Sequence, residues 1–273
     1  MKYTLLSALA LAASLGVGAL LCALLQRVMR REWAPGRRVA TSAALGVAVA
    51  LAAAGTYLAT YHRADPLALG VLDSDERVEV RAIDAGILFD GAGESTALVF
   101  FPGARVQTEA YAPLMRRIAE GGVDCVLVDP PARIAVLGVG QGARALDELG
   151  YEHWIAGGHS LGGVAACGLA DDAGEVVDGI VLLASYPTSE VGRDVALLSI
   201  YGSEDTVLEA DRYEDGKAFW PADSREVVIE GGNHSGYGNY GIQGDDGTAT
   251  ISAEEQQDQT ARAVIDLARK VAD

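Results

Sequence analysis

Two uncharged, mostly apolar runs, residues 3–25 and 39–61, open the chain. Beyond them the pattern changes to short apolar blocks separated by polar, glycine-containing stretches. Each opening run would span about 34 Å as a helix, enough for the hydrocarbon core of a bilayer. Between them, residues 26–38 carry five arginines: Arg27, Arg30, Arg31, Arg37 and Arg38. A short arginine-rich loop stays in the cytoplasm under the positive-inside rule, so both termini and everything from residue 62 onwards are expected outside. Trp33, Tyr57 and Tyr61 sit where interfacial aromatics are found. A cleaved signal peptide is the rival reading of the first run. That run lacks a convincing cleavage site, and cleavage would leave the basic loop outside and the rest inside. The expectation is a multi-pass cell-membrane protein with an uncleaved transmembrane helical hairpin at 1–61 and an extracytoplasmic domain.

After a connector at 62–76, the periodicity alternates between strand and helix. It predicts an antiparallel hairpin from 77–81 and 86–89, then a buried strand at 96–101 and an amphipathic helix over 108–120. A strand at 123–128 and a helix at 141–149 follow. Next come a strand at 153–156 and a small-residue helix at 164–170. Strands at 179–184, 195–201 and 227–229 and a helix at 253–271 complete the series. Near-continuous apolar strands between helices imply a sheet covered on both faces. The fold class expected is α/β, doubly wound and mostly parallel, forming one domain over 77–273.

The chemistry concentrates at Gly158-His159-Ser160-Leu161-Gly162, a G-x-S-x-G pattern between a strand and a helix. A serine on such a sharp turn has its hydroxyl pushed out of the sheet, where a base can reach it. Side chains at Gly158 or Gly162 would collide with neighbouring backbone. The Leu161 N–H lies at a helix N-terminus, free to stabilise an oxyanion. The pattern alone is common, and a glycine-rich turn would produce it too. Two further observations weigh against that reading. Asp205 follows the strand at 195–201, and His234 follows the strand at 227–229. Both fall where strands end and loops begin, so Ser160, Asp205 and His234 are the candidate triad. Glu204 competes with Asp205 for the acid position, but strand alternation points it the other way. The same alternation aims His159 away from the site and gives it a packing or supporting role.

Charge narrows the function classes. Residues 66–273 hold 14 Lys/Arg against 36 Asp/Glu, a net of −22, which excludes nucleic-acid binding through phosphates. Scarce lysine and abundant aspartate also suit adaptation to high salt. Cys22, Cys125 and Cys167 form no disulfide framework and read as core residues. No Cys/His spacing suits zinc, and the acidic pair Asp245-Asp246 in a glycine loop only weakly suggests calcium. No metal and no cofactor is expected.

Beyond these residues, a wider set of motifs extends from about residue 60 to the end. It includes Ala64-Asp65-Pro66, Phe100-Phe101-Pro102-Gly103, Tyr111-Ala112-Pro113-Leu114, Ala184-Ser185-Tyr186-Pro187, Gly231-Gly232-Asn233-His234 and Gly238-Asn239-Tyr240-Gly241. With these, the chain resembles the α/β-hydrolase superfamily, and more narrowly a membrane-anchored bacterial and archaeal branch of predicted serine hydrolases. The resemblance implies that Ser160 is the nucleophile, His234 its base, and Asp205 the group that orients His234. It implies oxyanion-hole donors in the N–H groups of Leu161 and Ala104, with Gly103 allowing close approach of the substrate carbonyl. Asn233 would help hold His234. Only 187–194 separates the strands at 179–184 and 195–201, too few for a cap domain, so the site is expected to be open. The expected activity is hydrolysis of carboxylic esters, small or lipidic, through an acyl-serine intermediate. Thioesterase, amidase or peptidase chemistry with the same triad, or a non-catalytic membrane-anchored interaction protein, are the alternatives. The pattern does not bear on oligomeric state.

Overall fold

The computed structural model describes residues 16–27, 32–92, 95–192 and 194–273. It divides into two compact units, Met1–Tyr61 and His62–Asp273. In the first unit, helix α1 (Gly16–Arg27) and helix α2 (Pro35–Ala59) are described. α2 starts four residues before the run expected at 39, because Pro35 suits the first helical turn, where its missing N–H is not needed. With 25 residues, mean hydropathy 1.8 and only 6% of its most apolar window buried, α2 is long and apolar enough to cross a membrane. Residues 3–15 of the first expected span, and 28–31 of the arginine loop, lie outside the described residues. α1 and α2 approach at Gly18, where a Cβ would lie 2.3 Å from Ser42 O, so only a glycine allows that contact. Arg37 lies over the Trp33 ring at 4.9 Å.

The second unit is an eight-stranded sheet in the order β1-β2-β4-β3-β5-β6-β7-β8. β1 (Glu79–Ile83) and β2 (Gly86–Asp90) pair antiparallel, and β2 is antiparallel to β4 (Asp124–Val128). All remaining pairs are parallel, through β3 (Thr96–Phe101), β5 (His153–His159), β6 (Val177–Leu183), β7 (Ala196–Gly202) and β8 (Ser224–Ile229). The mostly parallel α/β sheet expected from the apolar blocks is the one observed.

Alternation along the strands divides the core. On β3, Leu98 and Phe100 join the cluster that holds Leu114, Met115 and Ile118 of α4 (Ala112–Glu120) and Val264 and Leu267 of α8 (Ala253–Ala272). Ala97, Val99 and Phe101 join the opposite cluster, with Ala145 of α5 (Val139–Glu148) and Ala166 and Leu169 of α6 (Leu161–Ala173). The central strands are therefore dry on both faces, which accounts for the absence of polar alternation in them.

Three differences from the sequence reading have physical causes. β5 runs to His159 rather than ending at 156, because Gly157 and Gly158 stay in the ladder opposite Phe100 and Phe101. The stretch 62–76, expected as a connector, is built into the second unit. His62 pairs with Val106, and Asp65 caps α3 (Pro66–Gly70) by accepting from Ala68 N–H at 2.9 Å. Arg116, almost buried, donates to Val71 O at 3.0 Å, to Asp73 O and to the Asp75 carboxylate. A short helix α7 (Ala210–Gly216) also lies between β7 and β8, where no periodic pattern predicts one.

Arg116→Met should leave two carbonyls without donors and lower unfolding stability by about 2–3 kcal/mol. The midpoint of denaturant unfolding of the full chain in detergent measures it, and an unchanged midpoint would contradict this account.

Candidate active site

The order of the sheet reverses on either side of β3, so the carboxyl ends of β3 and β5 flank a topological switch point. Open α/β sheets bind ligands at such a point. Ser160 stands at the end of β5 with φ 54° and ψ −121°, an uncommon conformation for a residue with a side chain. Its N–H donates to Leu183 O at 2.9 Å, and its carbonyl accepts from Ser185 Oγ at 2.7 Å. The flanking glycines make the turn possible. A Cβ on Gly158 would lie 2.2 Å from the Gly162 carbonyl, and one on Gly162 would lie 2.0 Å from Phe101 O. β5, α6 and the end of β3 thus meet backbone to backbone.

Asp205 follows β7 in a tight turn. Its Oδ1 accepts from Val207 N at 2.9 Å and Leu208 N at 2.8 Å, which aims Oδ2 at His234 Nδ1, 2.9 Å away. The two side chains are 1% and 2% exposed. An ionised carboxylate only accepts, so Nδ1 carries the proton and Nε2 presents a lone pair. Nε2 is buried and makes no hydrogen bond among the described residues, to Ser160 Oγ or to any other group. Glu204 is exposed and takes a bond from Ser203 Oγ at 3.2 Å, which leaves the acid position to Asp205.

The loop that presents His234 is held by partners far along the chain. Asn233 N–H donates to Gln256 Oε1 at 3.0 Å, and Gln256 Nε2 returns a bond to Asn233 O at 2.8 Å. Asn233 Nδ2 donates to Gly247 O at 2.8 Å, and its Oδ1 accepts from Gly236 N at 3.0 Å. The Asp246 carboxylate accepts from His234 N, Ser235 N and Ser235 Oγ. Its oxygens thereby hold the turn after His234. No sequence signal pointed to Gln256, which lies inside an ordinary amphipathic helix.

On the other side of the switch point, Gly103 N–H donates to Tyr111 Oη at 3.1 Å. The N–H groups of Ala104 and Leu161 donate to no protein acceptor among the described residues, which leaves both available to a ligand. A Cβ on Gly103 would lie 2.9 Å from both Tyr111 Oη and His159 Nδ1.

Strand alternation aims His159 away from the site, but the structure brings its ring against His234. Its buried ring lies 4.5 Å from that of His234, centroid to centroid, and its Nδ1 is 2.7 Å from Tyr111 Oη. The loop of His234 folds back over that face of the sheet, which strand alternation does not reveal. Burial, and then the neighbouring His234, hold the His159 imidazole well below its usual pKa, so it is neutral. Burial likewise pushes the Cys167 thiol up to about 12 and Cys125 well above its usual value, so neither offers a rival nucleophile.

A parallel sheet of this order, with a serine on a strained strand-to-helix turn and a buried Asp–His pair from two later strands, defines a hydrolase of the α/β class. The alpha/beta hydrolase family model matches residues 97–258, more than half of the chain, and the chain belongs to that family. Solved structures agree in fold. A predicted CIB-like hydrolase from Thermoplasma acidophilum is 16% identical with TM-score 0.53, over 71% of this chain and 98% of that one. Dienelactone hydrolase from Anabaena variabilis is 15% identical with TM-score 0.51, over 70% and 97%. A mutant epoxide hydrolase from Vigna radiata is 12% identical with TM-score 0.53, over 72% and 100%. At these identities the likeness concerns the fold alone, a scaffold that carries several reactions. Comparison with curated proteins finds no match.

Two outcomes are expected. Asp246→Ala should cost about 1–3 kcal/mol in denaturant unfolding, since it strips acceptors from the turn after His234. Acid should also destabilise the fold. Folded His159 resists a proton that the unfolded chain accepts near its ordinary 6.5, so stability falls as pH drops below that value. His159→Asn should lose this part of the decline in melting temperature between pH 7.5 and 5.5; an unaltered decline would contradict the assignment.

Proposed function

We propose that the chain is a membrane-anchored serine hydrolase that cleaves carboxylic esters. The observation that carries the reading is the buried Asp205–His234 pair at 2.9 Å, its Nε2 without a partner among the described residues, at the same end of the parallel sheet as a serine at positive φ. Ser160 Oγ attacks the ester carbonyl carbon and its proton passes to His234 Nε2. Asp205 keeps the tautomer and stabilises the imidazolium. The developing oxyanion is met by the Leu161 and Ala104 N–H groups. One such donor is worth about 10²–10³ in rate. Collapse expels the alcohol, which takes the proton from His234, and water then repeats the sequence to release the acid.

The twelve residues between β6 and β7 contain no helix among those described, which supports a lid-free site suited to bulky or surface-presented esters. Thioester, amide or peptide cleavage would use the same groups, and a non-catalytic interaction protein would need none of the buried Asp–His pair. The long apolar α2 and the arginines of 26–38 support two spans, a cytoplasmic loop and a catalytic unit outside the membrane.

A fluorophosphonate probe should label the full chain in detergent, and Ser160→Ala should abolish the labelling. His234→Ala should slow it by about 10³-fold or more. Labelling that persists in Ser160→Ala would refute the nucleophile. For orientation, cysteines engineered at exposed positions of 62–273 should react with an impermeant maleimide on intact cells; protection until lysis would overturn the outward orientation.

A further inference from the structure

Behind His234 lies a buried polar chain that the reaction scheme does not use. Gly103 N–H donates to Tyr111 Oη, and Tyr111 Oη is bonded to His159 Nδ1. The His159 ring lies against His234 at 4.5 Å and Tyr237 at 5.4 Å, and Tyr111 lies 6.2 Å from Tyr240. Four parts of the fold meet here: the loop after β3, the start of α4, the end of β5 and the loop after β8. The facing titratable groups are Tyr111, Tyr237, Tyr240 and His234, all buried. No carboxylate or cation pairs with His159 among the described residues. A buried polar chain in a dry interior is held to one arrangement, because breaking any link strands a desolvated group.

We infer that His159 and Tyr111 are positioning residues that hold the oxyanion loop and the His234 imidazole as one rigid unit. This rests on the catalytic reading of Ser160, Asp205 and His234. Gly103 immediately precedes Ala104, the expected oxyanion donor, and has its own N–H taken by Tyr111. Anchoring Gly103 therefore sets the direction of the Ala104 N–H. The far end of the same chain is the wall against which His234 rests. The link thus relates the group that receives the serine proton to the group that receives the oxyanion charge, before substrate arrives. A displacement of about 1 Å at either end can cost such a reaction about 10²-fold. The neutrality of His159 serves the same end. When His234 takes the serine proton, a second positive charge 4.5 Å away would oppose the step, and burial keeps that charge from forming.

The test uses the full chain in detergent and two readouts: the fluorophosphonate labelling rate, and kcat and KM on a short-chain p-nitrophenyl ester. Tyr111→Phe removes only the hydroxyl and keeps the ring contacts. It should lower kcat and the labelling rate by about tenfold or more, with KM within about twofold. His159→Leu should lose at least as much. His159→Asn, which can place an acceptor near the position of Nδ1, should recover most of the loss. The double variant Tyr111→Phe/His159→Leu should be no slower than the worse single variant, because both changes cut the same link. If His159→Leu fails to fold, Tyr111→Phe and His159→Asn carry the test alone. Wild-type rates in Tyr111→Phe, losses that appear in KM rather than kcat, or additive losses in the double variant would each overturn the inference. A folded wild type that neither labels nor hydrolyses would instead refute the catalytic reading beneath it.

Discussion

The close backbone packing where β5 turns into α6 against the end of β3 is the constraint on which the site depends. Holding Ser160 at φ 54° costs about 1–3 kcal/mol. Two hydrogen bonds to its backbone, from Ser185 Oγ and to Leu183 O, return about 0.5–1.5 kcal/mol each. These bonds offset a strain of about the same size, and the buried ladders on both sides of β5 fix where the chain must go. The turn's geometry sets three things together: a half-buried serine at the strand end, the Leu161 N–H at the start of a helix, and contact between Gly162 and the strand that leads to Gly103.

From that junction the polar groups are arranged in two supporting sets. One orients His234 through Asp205, Asn233, Asp246 and Gln256. The other backs it through His159 and Tyr111. Both sets are largely buried, so their bonds are stronger and their breakage costlier than on the surface. The strongly acidic exterior is a separate matter. Surface carboxylates tune solubility and long-range field, while the site relies on one ionised carboxylate removed from water.

Much of this was legible in the chain. The apolar blocks of β3, β4 and β6 sit near their expected ends, because a strand buried on both faces has to be apolar throughout. Glycines at 158 and 162 around Ser160 announced a tight turn, and Asp205 and His234 were found by their positions just beyond strands. Where the reading stopped short, glycine was the reason. The expected strand ends at 156, yet Gly157 and Gly158 lie within β5, since Leu98 and Val181 fill the space of a side chain at Gly157 and the Gly162 backbone fills that at Gly158. The stretch at 62–76 has no strong periodicity, and its order comes from Arg116 and Asn239, far along the chain.

Sequence alone determined the class of fold, the elbow and the identity of the acid and base candidates. These follow from local rules: burial period, glycine at strained turns, and reactive groups at strand ends. Tertiary structure decided which of several polar residues face one another. His159 looked like a packing residue and Asp246 like part of a loop. Gln256 looked like one polar position on a helix. Each acquires its role only when a segment distant in sequence is laid over it. A periodic pattern records which side of an element is buried, and it carries no record of the neighbour that covers it.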